Sequence, residues 1–140
     1  VKNILKIAAV SAAMACGLLA CKSTNVEEPK YPATISNLRW DTGTYIRWEG
    51  DHSAFPTRSG NVNGWIVVIE PNGTHSPVEQ IRPGYKRQHM NNAYEDTGYK
   101  LKNTKPGDMV KVYLCAMTAA KRPDLSLRSN ELPLEWRARK

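Results

Sequence analysis

Three cysteines in 140 residues, two of them within the first 21 positions, leave this chain almost nothing with which to staple a fold. Its three histidines, His52, His75 and His89, have no cysteine nearby and no His-x-x-x-His partner. A zinc site of three or four converging ligands is therefore not expected. No Asp-x-Asp calcium loop and no glycine-rich phosphate loop is present, and Ser53, Ser59 and Ser76 lack a nucleophile-elbow context. Carboxylates are scattered without catalytic spacing. The chain is therefore expected not to be an enzyme and to use no cofactor or metal. No apolar run reaches the roughly 20 residues that a membrane-spanning helix needs, and there is no internal repeat.

The N-terminus is where the residues are most specific. Lys2 and Lys6 precede an apolar stretch from Ile7 to Ala20 broken only by Ser11. That is the layout of a secretory signal. It ends in Leu18-Leu19-Ala20-Cys21, which resembles the lipobox of bacterial lipoproteins. The resemblance implies that Leu18, Leu19 and Ala20 are read by the signal peptidase, and that Cys21 becomes the lipidated first residue of the mature chain. It would carry a diacylglycerol and an amide-linked acyl chain, and two or more chains give stable anchoring at about 0.8 kcal/mol per buried methylene. Lys22, rather than an aspartate, follows the cysteine, which leans toward the outer membrane of the bacterial cell envelope. Residues 21–32 read as a flexible tether. They are rich in Ser, Thr, Asn, Glu and Pro, with Val26 and Tyr31 the only large apolar side chains.

Removing residues 1–20 takes Lys2 and Lys6 and no acid, leaving 18 basic and 13 acidic side chains, a formal +5. With Cys16 removed and Cys21 acylated, Cys115 has no disulfide partner in its own chain. The remaining fold must rely on a hydrophobic core. Cys115 reads as a small strand residue rather than a reactive thiol.

From residue 33 the segments alternate apolar and polar side chains, and Gly, Pro, Asn and Asp punctuate them, as in strands. Strands are expected at 35–40, 44–48, 65–69, 78–81, 84–88, 99–101, 109–117 and 130–136. Turns are expected at Asp41-Thr42-Gly43, Pro71-Asn72-Gly73-Thr74 and Lys105-Pro106-Gly107-Asp108. No helical period appears beyond the leader. About seven short strands between frequent turns predict an all-β, antiparallel β-sandwich.

The order of landmarks resembles a fibronectin type III domain, an immunoglobulin-like sandwich. The residues that carry the resemblance are Leu38 in the first strand, Trp48 ending the second, and Gly64-Trp65-Ile66-Val67 opening the third. They continue with Tyr99-x-Leu101 leading to Lys105-Pro106-Gly107, the alternation Val110, Val112, Leu114, Ala116, and Ser129-Asn130 before the last strand. Thr104 stands where the family has leucine, Val110 where it has tyrosine, and prolines are missing after Trp48. The expected organisation is a signal peptide at 1–20, a lipidated tether at 21–32, a sandwich at 33–137 and a basic tail at 138–140.

Recognition is therefore the expected role, at loops that vary without disturbing the core. Residues 50–64 form one long connection, carrying His52, Phe55, Arg58 and Asn61. Phe55, the only phenylalanine, either contacts a ligand or plugs the end of the core. Residues 82–96 interleave Arg82, Tyr85, Lys86, Arg87, His89, Met90 and Tyr94. Such a mixture suits stacking on sugars or binding of anions, and equally an edge strand guarded by cations. Trp40, Trp48 and Trp65 are expected in the core, and Trp136 as a cap or a contact residue.

The candidate ligand contacts are Phe55, Arg82, Tyr85, Arg87 and Tyr94. The expected function is a non-catalytic protein-interaction or scaffolding module in the envelope, with Ile66 and Val68 as an exposed apolar strand face. The alternatives are a carbohydrate-binding module, or a phage- or prophage-encoded lipoprotein of lysis or superinfection exclusion. The membrane is expected as a partner through the lipid, and an envelope protein or glycan through the domain. Nucleic acid is not expected as a partner of an exported, anchored chain.

Overall fold

The computed structural model describes residues 33–57 and 61–139. The lipobox, Cys21, the tether and Arg58 lie outside them. Among the described residues there are eight strands: β1 Thr34–Trp40, β2 Tyr45–Asp51, β3 Gly64–Ile69, β4 His75–Ile81, β5 Arg87–His89, β6 Met109–Met117, β7 Pro123–Arg128 and β8 Leu132–Glu135. A 3-10 turn, Asn91–Ala93, follows β5. The chain folds as an all-β, immunoglobulin-like sandwich of two antiparallel sheets.

One sheet runs β1-β2-β5, the other β8-β6-β3-β4, with β7 also paired to β6. β8 takes the Met109–Val112 half of β6, and β7 takes the Cys115–Met117 half. β3 occupies the opposite side of β6, so β7 and β8 are successive lengths along one edge.

Alternation decides which side chains meet between the sheets. Ile35, Ile46 and Trp48 from the smaller sheet pack with Ile66, Val68, Val78, Ile81, Val110, Val112, Leu114, Ala116 and Leu134 from the larger. Period-two spacing put these residues on one face, and burying them there removes that face from water at roughly 25 cal/mol per Å². The opposite face of the larger sheet is not left wet. Trp65, Val67, Tyr113, Cys115 and Met117 form a second buried cluster there.

Several expectations are corrected at this level. Trp65 is buried, as expected of a core residue, in the cluster on the outer face of the larger sheet. Ile66 and Val68 are fully buried in the sandwich core and offer no exposed face. Residues 99–101 form no strand. Leu101 is buried and its N–H donates to the Ala93 carbonyl at 3.1 Å, a single anchor that supports no ladder. The strand foreseen at 84–88 begins only at Arg87, because residues 82–85 are spent on a tight turn. β7 was not foreseen, although Pro123, Leu125 and Leu127 alternate with Asp124, Ser126 and Arg128; none of its six residues is buried.

Cys115, the one cysteine among the described residues, is free and buried, and polar clasps tie the strands together. The Asn130 side chain mimics a strand, accepting from the Ile35 N–H at 2.8 Å and donating to the Ile35 carbonyl at 3.0 Å. It ties β1 to the segment entering β8. The Ser129 hydroxyl accepts the Leu114 N–H at 2.9 Å. Glu70 is buried at the end of β3, where its carboxylate takes the Ser76 hydroxyl, the Asn103 N–H and the Thr104 hydroxyl at 2.7–2.8 Å. Gly50 permits close approach of β2 to β1. It has φ +120°, and a Cβ there would sit 2.1 Å from the Thr34 carbonyl oxygen.

Glu79, 7% exposed, accepts the Asn92 N–H at 2.8 Å and its side-chain amide at 3.2 Å, joining β4 to the 3-10 turn. Burial pushes its carboxyl up to about 7, against the Asn92 hydrogen bonds, which lower it. A carboxyl raised in the folded state binds its proton more tightly there. Its cost is absent below pH 4.5, grows between pH 4.5 and 7, and is full above pH 7. Glu79→Gln is therefore expected to raise unfolding free energy at pH 8 by on the order of 1–3 kcal/mol and to change it little at pH 4. Urea denaturation at both pH values checks this, and equal effects at the two would contradict it.

Candidate functional site

Arg82-Pro83-Gly84-Tyr85 is a tight turn for local reasons. Proline presets its first corner, glycine takes φ +81° at the second, and the Tyr85 N–H closes on the Arg82 carbonyl at 3.2 Å. The same carbonyl accepts a second hydrogen bond, from His52 Nε2–H at 2.9 Å. His52 is 1% exposed and lies among Trp48 and Phe55, with ring centroids 6.4 and 6.2 Å away. The turn that carries Arg82 and Tyr85 is thus pinned to the core.

Around it opens a cleft of about 620 Å³, within the size range of small-ligand sites. Arg82, Tyr85, Lys86, Arg87 and His89 line it with Tyr45, Gln80 and Gln88, and no carboxylate is in its wall. Tyr85 is 48% exposed. The Arg82 guanidinium donates to the Tyr85 hydroxyl at 3.3 Å and lies 5.6 Å from its ring centroid. Lys86 anchors its backbone by accepting the Trp48 N–H at 3.0 Å. Among the described residues its ammonium is in no ion pair.

Arg87 has a different position. β2 and β5 place Arg47 opposite Arg87 and Tyr45 opposite His89. Asp41 resolves the like-charge pair, taking Arg87 at 2.6 Å and Arg47 at 3.0 Å. The Arg87 guanidinium beside Asp41, helped by that of Arg47, holds this carboxyl down to about 2. Arg87 also lies 3.6 Å from the Tyr45 ring centroid, and Tyr45 stacks on His89 at 4.6 Å. Arg87 is therefore a braced wall. Arg82 and Lys86 are the cations left to meet a ligand.

Of the five candidate contacts, Arg82, Tyr85 and Arg87 come together here. Phe55 does not: at 2% exposure it plugs the core, as a large apolar ring in a long connection does when the barrel end beneath it is open. Tyr94 lies elsewhere. It stacks on Trp136 at 5.2 Å, and its hydroxyl donates to the Arg137 carbonyl at 2.7 Å. Burial pushes that phenol up to about 12. Trp136 also meets Trp40 edge-on at 5.0 Å, and Arg137 lies over Trp40 while donating to the Asp41 and Gly43 carbonyls. Trp136 is a cap, and the stack is a C-terminal clasp. Arg139 of the tail pairs with Glu95 at 3.1 Å.

Sequence reasoning missed Tyr45 and Gln80, which reach the cleft from other strands. It also missed the bracing role of Asp41. The signal for Lys86 and His89 was present, since both lie in the interleaved run. Cys115 is fully buried, and burial pushes its thiol up to about 12, so it stays protonated at neutral pH. No family model, no curated protein and no solved structure matches this chain.

The His52 ring is held below its usual 6.5 by burial, against the Arg82 hydrogen bond, which raises it. A depressed histidine supports the folded state above pH 6.5 and costs stability as pH falls below it, because the unfolded chain takes up the proton first. Ring nitrogen NMR is expected to show neutral, Nε2-protonated His52 that titrates below 6.5. Titration at or above 6.5 would contradict the burial of the ring.

Proposed function

We propose that this chain is a lipid-anchored protein of the bacterial envelope whose sandwich is a non-catalytic binding module, and that its cleft receives an acidic sugar. The observation that carries the reading is an exposed tyrosine ring that shares with Arg82 and Lys86 a concave wall without carboxylates. A tyrosine face packs against the apolar side of a pyranose ring. Guanidinium and ammonium groups take its carboxylate or phosphate, and the Gln80 and Gln88 amides face the hydroxyls. The formal +5 of the mature chain adds long-range attraction that salt weakens.

Several features support a fibronectin type III-like topology. The first two strands share a sheet with a short fifth-position strand, and the third pairs with the Met109–Met117 strand. Asn130 gives the Ser-Asn pair a physical task. Thr104, the departure from leucine, answers the buried Glu70 carboxylate. The anchor rests on the lipobox resemblance. Mass spectrometry of the chain from bacterial membranes is expected to find it beginning at an acylated Cys21, and an unmodified Cys21 would contradict the anchor.

Calorimetric titration tests the cleft. A uronic-acid oligosaccharide is expected to bind, and a neutral oligosaccharide of equal length to bind at least tenfold more weakly. Tyr85→Ala and Lys86→Glu are each expected to cost about tenfold or more, near 1.4 kcal/mol. Equal affinity for both sugars, or no effect of Tyr85→Ala, would contradict the reading.

A second reading, a protein-interaction module, is favoured by a separate feature, an apolar groove on the outer face of the larger sheet.

A further inference from the structure

The outer cluster of the larger sheet is kept dry, with Trp65 at 4% and Val67 at 1% exposure, but the surface over it is hollowed. Two adjoining hollows, about 450 and 290 Å³, share Pro77, Arg122 and Pro123. Trp65 and Tyr99 line the first, Val67 and Leu125 the second. Tyr99 and Leu125 are two of the four large apolar side chains that the described residues expose, at 43% and 50%. The Trp65 ring lies 5.3 Å from that of Tyr99. Its indole N–H is already spent on the Lys121 carbonyl at 3.0 Å, so the ring offers apolar surface only.

That bond shapes the lip of the groove. Lys121 sits at φ +65° in the turn between β6 and β7, which is closed by the Thr118 N–H on the Arg122 carbonyl at 2.7 Å. Lys121 and Arg122 are exposed and are in no ion pair among the described residues. Neither hollow has a carboxylate in its lining. Asp124, on the adjoining strand, is engaged by the Ser126 N–H and hydroxyl at 3.2 and 2.6 Å.

We propose that this groove is the docking site for an extended, proline-bearing acidic segment of another envelope protein. The strands that flank the groove, β4 and β7, are edges of the larger sheet, and Pro77 and Pro123 leave each of them short of a backbone N–H donor. An added strand is therefore disfavoured there, and the groove recognises side chains. A polyproline II segment needs no backbone partner and is preformed, so little ordering entropy opposes its docking. Residues three apart lie on one ridge about 9 Å apart along it, so one such ridge presents a proline to each of the two adjoining hollows that share Pro77 and Pro123. Acidic residues beside them meet Lys121 and Arg122. The proposal rests on the protein-interaction reading and is independent of the sugar cleft.

The test titrates the isotope-labelled full chain in detergent micelles with the peptide Glu-Glu-Pro-Val-Leu-Pro and follows amide and indole signals. Shifts confined to the Trp65 indole, Tyr99, Lys121, Arg122 and Leu125 are expected. Replacing both prolines by alanine, or both glutamates by lysine, is expected to weaken binding at least fivefold. Arg122→Glu and Leu125→Ala, both at exposed positions, are expected to weaken it at least tenfold, and Tyr85→Ala to leave it unchanged. No binding, or indifference to the prolines, would overturn the proposal. So would shifts centred on Arg82 and Lys86, or movement of the groove signals when residues 26–32 of the chain itself are replaced by Gly and Ser. Bead capture of an envelope protein that survives both groove variants would leave the protein-interaction reading standing and overturn the groove.

Discussion

Strand β3 meets water on neither face, and the rest of the molecule is arranged around that constraint. Its inward residues, Ile66 and Val68, join the two sheets. Its outward residues, Trp65 and Val67, demand a second cover that a two-layer sandwich does not supply by itself. The cover is improvised from the 118–122 turn and Tyr99, with the Trp65 indole holding the turn by its Lys121 carbonyl. A hollowed cover of that kind leaves an apolar groove with a basic lip. The inward face needs the Trp48 side to be equally well closed. His52 and Phe55 close it, and His52 in doing so fixes the Arg82 turn. Both surfaces with binding chemistry are thus consequences of how one strand is kept dry.

A sandwich with no disulfide among the described residues must obtain uniqueness from something besides apolar packing, which tolerates many arrangements of similar volume. Here buried polar groups with single solutions provide it. Asn130 fits only one register of β1, Glu70 fits only where residues 103 and 104 pass the end of β3, and Ser129 fits only opposite Leu114. Each would be left unsatisfied by a slipped strand, at a cost of about 1–3 kcal/mol. Asp41 does the same work at the surface, gathering Arg47 and Arg87 so that the cleft wall does not repel itself apart.

The sandwich was legible because period-two alternation is dense in β1, β2 and β6, and because Gly-, Pro- and Asn-rich turns separate them. Val110, Val112, Leu114 and Ala116 all point inward as their spacing required. β3 misled the same reasoning. A strand apolar on both faces does not say which face is which, so Trp65 was rightly read as buried while Ile66 and Val68 were assigned to an exposed face. β7 carried the same period-two pattern in Leu125 and Leu127 but was passed over, because it follows a proline and buries none of its residues. In the cleft, the run from Arg82 to His89 was readable as chemistry since its members are neighbours in sequence. Tyr45 and Asp41 were not, because only the β2–β5 pairing brings them there. Phe55 and Tyr94 show the limit of reading aromatic residues in loops as contacts: a ring in a loop can as easily close a core or stack on another ring.

The most direct measurement is a chemical-shift map of the full chain in micelles on addition of acidic glycan purified from a bacterial envelope, at physiological salt. The account predicts a contiguous set of shifts on Arg82, Tyr85, Lys86, Gln88 and Tyr45, with the rest of the basic surface silent. Shifts scattered over lysines and arginines across the domain, vanishing together as salt is raised, would contradict it.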